Sequence, residues 1–269
     1  MTKTQRAILV LGTAVLCWQL CSGCRRDDGR TLNVVGSTSI QPFAELLGQA
    51  YGKKHPDHMV DVQGGGSTAG VQAVANGLAH IGMCSRSLKD EERDQFTPII
   101  VARDGLAIIV NPSNPVSGLS REQLRDLFSG SIKNWKEVGG RDGPVRPITR
   151  EEGSGTRESF VSLVMGKTRI SRAALTQESN GAVKELVRGD PAAIGYMSLG
   201  LVGGEIKALL VDGEKPDAAN VLTGGYKLVR PFLFVTKGAP TPEARQFITY
   251  VLSAEGQKAL ESEGLIRAQ

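Results

Sequence analysis

Cysteine is nearly absent from the body of this chain: of four, three fall at Cys17, Cys21 and Cys24, and only Cys84 lies beyond. No disulfide can form downstream of Cys24, and a body of this length does not need one. Cys84, next to Met83 in the apolar stretch Ile81 to Cys84, reads as a small buried thiol rather than a redox centre. Aromatic residues make up only 5% and basic residues are scattered without any RNA or DNA motif, so a nucleic-acid surface is excluded. No internal repeat of fixed period occurs. The glycine-rich segment Gly65 to Val71 lacks the lysine of a P-loop, and no G-x-G-x-x-G opens a helix after a strand, which argues against nucleotide chemistry. No G-x-S-x-G elbow surrounds any serine. The three histidines are thinly placed. His55 and His58 flank Pro56-Asp57 as either a solvated turn or a metal pair, with the turn the default, and His80 opens an apolar strand as a structural side chain.

What the chain does have is a loop dense in hydrogen-bond donors. Arg150-Glu151-Glu152-Gly153-Ser154-Gly155-Thr156-Arg157 combines flexible backbone, hydroxyls and a planar guanidinium just before Phe160, Leu163 and Val164, which repeat at helical spacing. Three further loops share the plan. Gly36-Ser37-Thr38-Ser39 follows a strand pattern at Leu32, Val34 and Val35 and precedes Pro42 and a helical face of Phe43, Leu46, Leu47, Ala50 and Tyr51. Gly64-Gly65-Gly66-Ser67-Thr68 follows the alternating Met59 to Gln63 and precedes Val71, Val74, Ala75 and Leu78. Ser179-Asn180-Gly181 precedes Val183, Leu186 and Val187, with a strand at Ala193 to Met197 after it. A single such loop is usually a plain helix cap. Four of them, each ahead of a helical pattern and two of them following a strand pattern, predict partly positive helix ends aimed at an anion.

The alternation of strand and helix patterns predicts an α/β fold. Two extended segments, Leu106 to Asn111 and Leu228 to Val235, read as crossovers. They would divide the chain into a first lobe of residues 31–110 plus 232–269 and a second of residues 111–231. The loops then split two and two, and a ligand held by both pairs lies in the cleft between lobes. At the start, Lys3 and Arg6, then the apolar run Ala7 to Leu16, then small residues and cysteines read as a secretory signal of residues 1–23, too short for a membrane span. Leu20-Cys21-Ser22-Gly23-Cys24 reads as a lipoprotein box with Cys24 lipidated and residues 24–30 as a linker. It departs from the usual box, in which leucine stands where Cys21 is here; an uncleaved anchor or plain secretion are the alternatives. Loss of Lys3 and Arg6 with the leader lowers the net charge from +4 to near +2, close to neutral.

Together these motifs, with Ile81-Gly82-Met83-Cys84-Ser85-Arg86 and Ala193-Ile194-Gly195-Tyr196, resemble the PstS family of phosphate-binding proteins of bacterial phosphate ABC transporters. The resemblance covers nearly the whole chain after the leader. It implies a two-lobed, periplasmic-binding-protein-like (type II) fold with a ligand cleft and two hinge strands. The protein would be an extracytoplasmic, lipid-anchored monomer that binds inorganic phosphate without metal or cofactor, performs no catalysis, and delivers phosphate to permease subunits. Carried over by position, the Thr38 hydroxyl, the Ser39 N–H and the Ser67 hydroxyl and N–H would meet the ligand from the first lobe. The Arg150 guanidinium, the Ser154 hydroxyl, Gly155 and Thr156 would meet it from the second. Glu152 would hold the Arg150 fork in place, and Asn180 would stand behind the contacts.

Where some members of that family carry an Asp that accepts the proton of hydrogen phosphate and repels sulfate, this chain has Ser85. A hydroxyl both accepts and donates, so discrimination by repulsion should be softer. Arg86 is a candidate for ligand contact or, equally, for a surface or interlobe salt bridge. Alternatives to phosphate transport are a receptor for another tetrahedral oxyanion such as sulfate, molybdate or tungstate, a sensor or surface adhesin, and a phosphate-ester-processing enzyme. The charge runs Lys89 to Asp94 and Arg121 to Arg125 read as solvated helix faces, Trp135 as a core anchor, and Phe247, Val251, Leu252 and Leu260 as helices packed on the first lobe.

Overall fold

The computed structural model describes residues 31–268. The expected leader, the linker and Cys24 lie outside them. Among the described residues the strands are β1 Thr31–Gly36, β2 Met59–Gly64, β3 Ile81–Cys84, β4 Thr97–Val110, β5 Gly118–Leu119, β6 Arg146–Arg150, β7 Leu175–Gln177, β8 Ala193–Ser198, β9 Lys207–Ala208, β10 Leu210–Val211, β11 Val229–Thr236 and β12 Ile266–Arg267. The α-helices are α1 Gln41–Lys54, α2 Ser67–Ala75, α3 Asp90–Arg93, α4 Arg121–Ser129, α5 Gly155–Phe160, α6 Asn180–Gly189, α7 Ala218–Leu222, α8 Pro242–Leu252 and α9 Ala254–Ser262. The fold is mixed α/β, as the strand and helix patterns predict.

One sheet runs in the order β2-β1-β3-β11-β4-β8-β6-β7, with β9 and β12 also on β4. The long β4 joins its two ends. Its first part pairs antiparallel with β11 from Thr97 to Gly105, and its last part pairs antiparallel with β8 from Leu106 to Val110. On one side β1 lies parallel to β3; on the other β6 lies parallel to both β8 and β7. Parallel neighbours require crossover helices, and here a helix follows each of β1, β2, β6 and β7, starting at a donor-rich turn.

The core divides accordingly. A terminal half gathers Leu32, Val34, Phe43, Leu47, Tyr51, Ile81, Met83, Phe232, Phe234 and Phe247, with a satellite around Val71, Val74, Cys84 and Val235. A central half gathers Leu106, Ile108, Leu124, Phe128, Trp135, Phe160, Tyr196 and Leu228, with a second cluster around Ile109, Ile148, Val183 and Val187. Strand β8 is buried on both faces along its whole length, so it reads as a continuous apolar run rather than an alternation. Trp135 is buried and its indole N–H donates to the Ala192 carbonyl at 3.0 Å.

Several residues counted on apolar faces are in fact solvent-facing. In α1 the buried stripe is Phe43, Leu47 and Tyr51 at a spacing of four, which leaves Leu46 on the shoulder at 40% exposure. Leu186 and Leu252 are similarly turned outward, and Leu78 lies past the end of α2 in a turn.

Candidate functional site

The four donor-rich turns converge. From the terminal half, the turn after β1 brings Ser37, Thr38 and Ser39 to the start of α1, the turn after β2 brings Ser67 to the start of α2, and Ser85 follows β3. Gly66 caps α2 at φ +89°, a conformation that side-chain-bearing residues rarely adopt. The hydroxyls form a chain. The Ser39 N–H donates to Ser37 Oγ at 3.2 Å, Ser37 Oγ donates to Ser85 Oγ at 2.9 Å, and the Ser85 N–H donates to Ser67 Oγ at 3.0 Å. Ser37, Ser39, Ser67 and Ser85 are all buried.

From the central half, Arg150 ends β6 and is 1% exposed. Its Nε donates to Glu151 Oε2 at 2.9 Å and to the Gln177 carbonyl at 3.1 Å. Its Nη2 donates to Glu151 Oε1, to the Glu178 carbonyl and to Thr38 Oγ1, each at 3.0 Å. Nη1 is buried and has no partner. The strand is pinned from behind by the Tyr196 hydroxyl, which lies 2.7 Å from Thr149 Oγ1 and accepts the Arg150 N–H at 3.2 Å, while the ring stacks on Phe160 at 4.1 Å. Burial raises the pKa of Tyr196, against the pull of Thr149 and the arginines, so it stays a neutral phenol. Ser154 caps α5, its Oγ accepting the Arg157 N–H at 3.3 Å, so its own proton is free to point elsewhere.

Between the halves, Ser39 Oγ and Thr156 Oγ1 lie 2.7 Å apart and Asn180 Nδ2 donates to Ser39 Oγ at 2.9 Å. The Thr68 N–H donates to the Gly153 carbonyl at 3.1 Å, and Ser159 Oγ donates to the Ser85 carbonyl at 3.1 Å. A Cβ on Gly155 would sit 2.2 Å from Ser67 Oγ and 2.7 Å from Ser85 Oγ. The two halves are therefore closed on each other here. A surface cleft of about 430 Å³ beside the site is lined by Arg86, Lys89, Glu158 and Arg230 but by none of the Ser39, Ser67, Ser85 and Thr156 side chains.

Three expectations need correction, and Arg86 takes the salt-bridge reading of its two. The acid that grips Arg150 is Glu151, not Glu152. The turn from Glu151 to Ser154 puts Glu152 at its outer corner ahead of Gly153 at φ +88°, so Glu152 is exposed. Arg86 is committed elsewhere. Its Nη1 and Nη2 bind the Glu92 carboxylate at 2.7 and 2.9 Å, and its Nε lies 3.0 Å from Glu158 Oε2, an ionic contact without an aligned N–H. Burial alone would lower the pKa of Arg86, but the paired carboxylates outweigh it and raise it; the same pairing overcomes burial to lower that of Glu92. The Lys89 to Asp94 run is thus not a purely solvated face, because Glu92 turns inward. Finally, the Ser39 N–H, expected at the ligand, is taken by Ser37 Oγ.

The structure also brings in residues that the motifs did not indicate. Arg230 on β11 is 2% exposed and Asp104 on β4 is 0% exposed. Arg230 Nε and Nη2 donate to Asp104 Oδ2 at 3.0 and 2.9 Å, and Arg230 Nη1 donates to Thr156 Oγ1 at 2.7 Å. The signal was a charge inside an apolar strand on each side, since such a charge is almost never buried unpaired. Burial pushes the Asp104 carboxyl up and the Arg230 guanidinium down, while each pulls the other back toward its charged form. Away from the site, His80 Nδ1 accepts the Asn33 N–H at 3.0 Å, His55 stacks on Tyr51, and Cys84 is fully buried, where desolvation raises its pKa.

Chemically, the arrangement is a buried set of hydroxyl and guanidinium donors in which each neighbouring carboxylate, Glu151 and Asp104, is already occupied by an arginine. Such a set stabilises an oxyanion. The chain as a whole is similar to known proteins. The PBP superfamily domain matches residues 25–255. The phosphate-binding protein PstS of Bacillus subtilis is 33% identical over 234 residues, spanning 86% of this chain and 78% of the relative. PstS of Borreliella burgdorferi is 27% identical over 280 residues, spanning 99% of each. Among solved structures, a Clostridium perfringens substrate-binding protein, assigned to a phosphate ABC transporter and holding phosphate, superposes with a TM-score of 0.86 at 38% identity, covering 89% of this chain and 100% of that one. An ABC-type phosphate transport receptor from Vibrio cholerae gives 0.74 at 38% identity, covering 87% and 99%.

Proposed function

The chain belongs to the PstS family of phosphate-binding proteins within the PBP superfamily, and from that premise we propose that it captures inorganic phosphate outside the cytoplasm and hands it to an ABC permease. The observation that carries this reading is the Arg150 Nη1 group, a buried charged donor without a protein partner amid the serine and threonine hydroxyls of four helix starts. A dianion leaves water only where fixed donors replace its hydration shell. Arg150 supplies the charge, and Thr38, Ser39, Ser67, Ser85, Ser154, Gly155 and Thr156 supply hydroxyl or backbone donors. Asn180 backs them.

In this reading the lobes are residues 31–110 plus 232–269 and residues 111–231, and β4 and β11 form the hinge. Ligand contacts from both lobes are made together only when the lobes close, so phosphate favours the closed form, which the permease reads. The protein acts as a monomer, without catalysis or cofactor, tethered through a lipid on Cys24. The decisive experiment is to purify the protein without added ligand, identify the bound species by mass and phosphate assay, then titrate phosphate and sulfate calorimetrically and offer a phosphate ester. Stoichiometric, tightly held phosphate with no turnover is expected. Turnover of the ester, or tighter binding of sulfate than of phosphate, would overturn the reading.

A further inference from the structure

We infer that Asp104 and Arg230 belong to the anion site as its positioning pair, holding one of the Ser39 and Thr156 hydroxyls as a donor to the ligand through a closed ring of buried residues. The inference rests on the phosphate-binding reading above and adds residues that do not touch the ligand.

The ring can be traced bond by bond. Arg230 Nη2 donates to Asp104 Oδ2 at 2.9 Å, and Ser198 Oγ donates to Asp104 Oδ1 at 2.9 Å. The Ser198 N–H donates to Asn180 Oδ1 at 3.1 Å, which fixes the amide so that its Nδ2 donates to Ser39 Oγ at 2.9 Å. Ser39 Oγ lies 2.7 Å from Thr156 Oγ1, and Arg230 Nη1 closes the circuit by donating to Thr156 Oγ1 at 2.7 Å. All six residues are at most 2% exposed.

Proton counting gives the ring its consequence. Arg230 Nη1 and Asn180 Nδ2 carry protons only, so Ser39 Oγ and Thr156 Oγ1 must each accept from behind. Each hydroxyl keeps one proton. One of these lies between the two oxygens, and the other has no acceptor within the ring. Both Asp104 oxygens are occupied, so the carboxylate does not compete for that proton. The leftover proton therefore faces outward as a donor for an anion. Were Arg230 absent, Thr156 could turn its proton inward and present a lone pair to the ligand instead, which a dianion would reject.

Location adds a second consequence. Asp104 and Arg230 are cross-strand partners on β4 and β11, one residue before β4 leaves β11 for β8. The ring thus ties both halves of the fold to the strands that connect them, so the donor polarity exists only when the halves are together.

The test is calorimetric titration of phosphate into the wild type, Arg230→Gln, Thr156→Val, the double variant and Ser198→Ala, with thermal unfolding of each. Wild-type protein that binds no phosphate would sink the functional reading and this inference with it. Given wild-type binding, Arg230→Gln is expected to weaken phosphate by about tenfold or more, and Thr156→Val by a similar factor, with the double variant little worse than either. Multiplying effects in the double variant, or unchanged affinity in folded Arg230→Gln, would overturn it. Should Arg230→Gln not fold, Ser198→Ala decides. It removes one hydroxyl that does not face the ligand, so about three- to tenfold weaker phosphate binding by a folded protein supports the ring; unchanged affinity refutes it.

Discussion

Arg150 holds a full charge at 1% exposure, and four of its five acceptors are in the half of the fold that carries it. Its Arg150→Ala variant would lose the Nη1 donor and also leave Glu151 unpaired beside the anion. Since a hydrogen bond to a charged group contributes about 1.5–3 kcal/mol, phosphate affinity should fall by more than about a hundredfold with the fold retained; calorimetry and circular dichroism check this, and unchanged affinity would reject the site. In the proposed phosphate-binding reading, Ser85 is the residue that sets selectivity. Its oxygen accepts from Ser37 and lies 3.3 Å from Ser67 Oγ, so it can offer the ligand a proton or a lone pair. Ser85→Asp would present only lone pairs, and sulfate should then compete less well against phosphate than in the wild type. Equal sulfate competition in both proteins would refute that role. At this scale the sequence was legible where a residue's chemistry is local, as with Arg150 and the loop serines. It was not legible where partners are remote. Glu151 against Glu152 is settled by one turn, and Arg230 finds Thr156 across 74 positions of chain.

The helix starts were legible because each is written locally, with polar donor residues followed by helix period, and the structure starts α1, α2, α5 and α6 at those turns. The widths of their apolar faces were not, because exposure of Leu46 or Leu186 depends on what packs alongside. Gly155 shows how an element can be compatible with its own chain yet constrained by another. At the first position of α5 alanine favours the helix, but its Cβ would meet Ser67 Oγ at 2.2 Å across the closed site. Gly155→Ala should therefore keep or raise thermal stability without phosphate while weakening phosphate about ten- to a hundredfold, the range overpacking of 1–3 kcal/mol implies. Equal affinity of this variant and wild type by calorimetry would show that the halves do not close as tightly as the geometry requires.

Across the whole molecule, one carboxylate bridges the halves away from the hydroxyl cluster. Glu158 on α5 faces Arg86 at 3.0 Å and Lys89 at 3.5 Å, and accepts from Thr68 Oγ1 at 3.4 Å, all three from the terminal half. It is partly exposed, so the bridge is worth about 1 kcal/mol rather than the strength of a buried pair. Glu158→Gln should raise the phosphate dissociation constant about fivefold, and solution scattering without phosphate should show a more extended particle; identical scattering and affinity would mean the bridge does not bias closure. By itself the sequence determined the fold class and the four donor-bearing turns ahead of helical patterns, because period, turn residues and caps act over a few neighbouring positions. Only the tertiary structure decided which acid holds Arg150, that Arg86 pairs with carboxylates, and that Asp104 and Arg230 stand behind Thr156. Those choices depend on which side chains share a buried, poorly solvated space, and that is set by how β4 and β11 bring distant parts of the chain together.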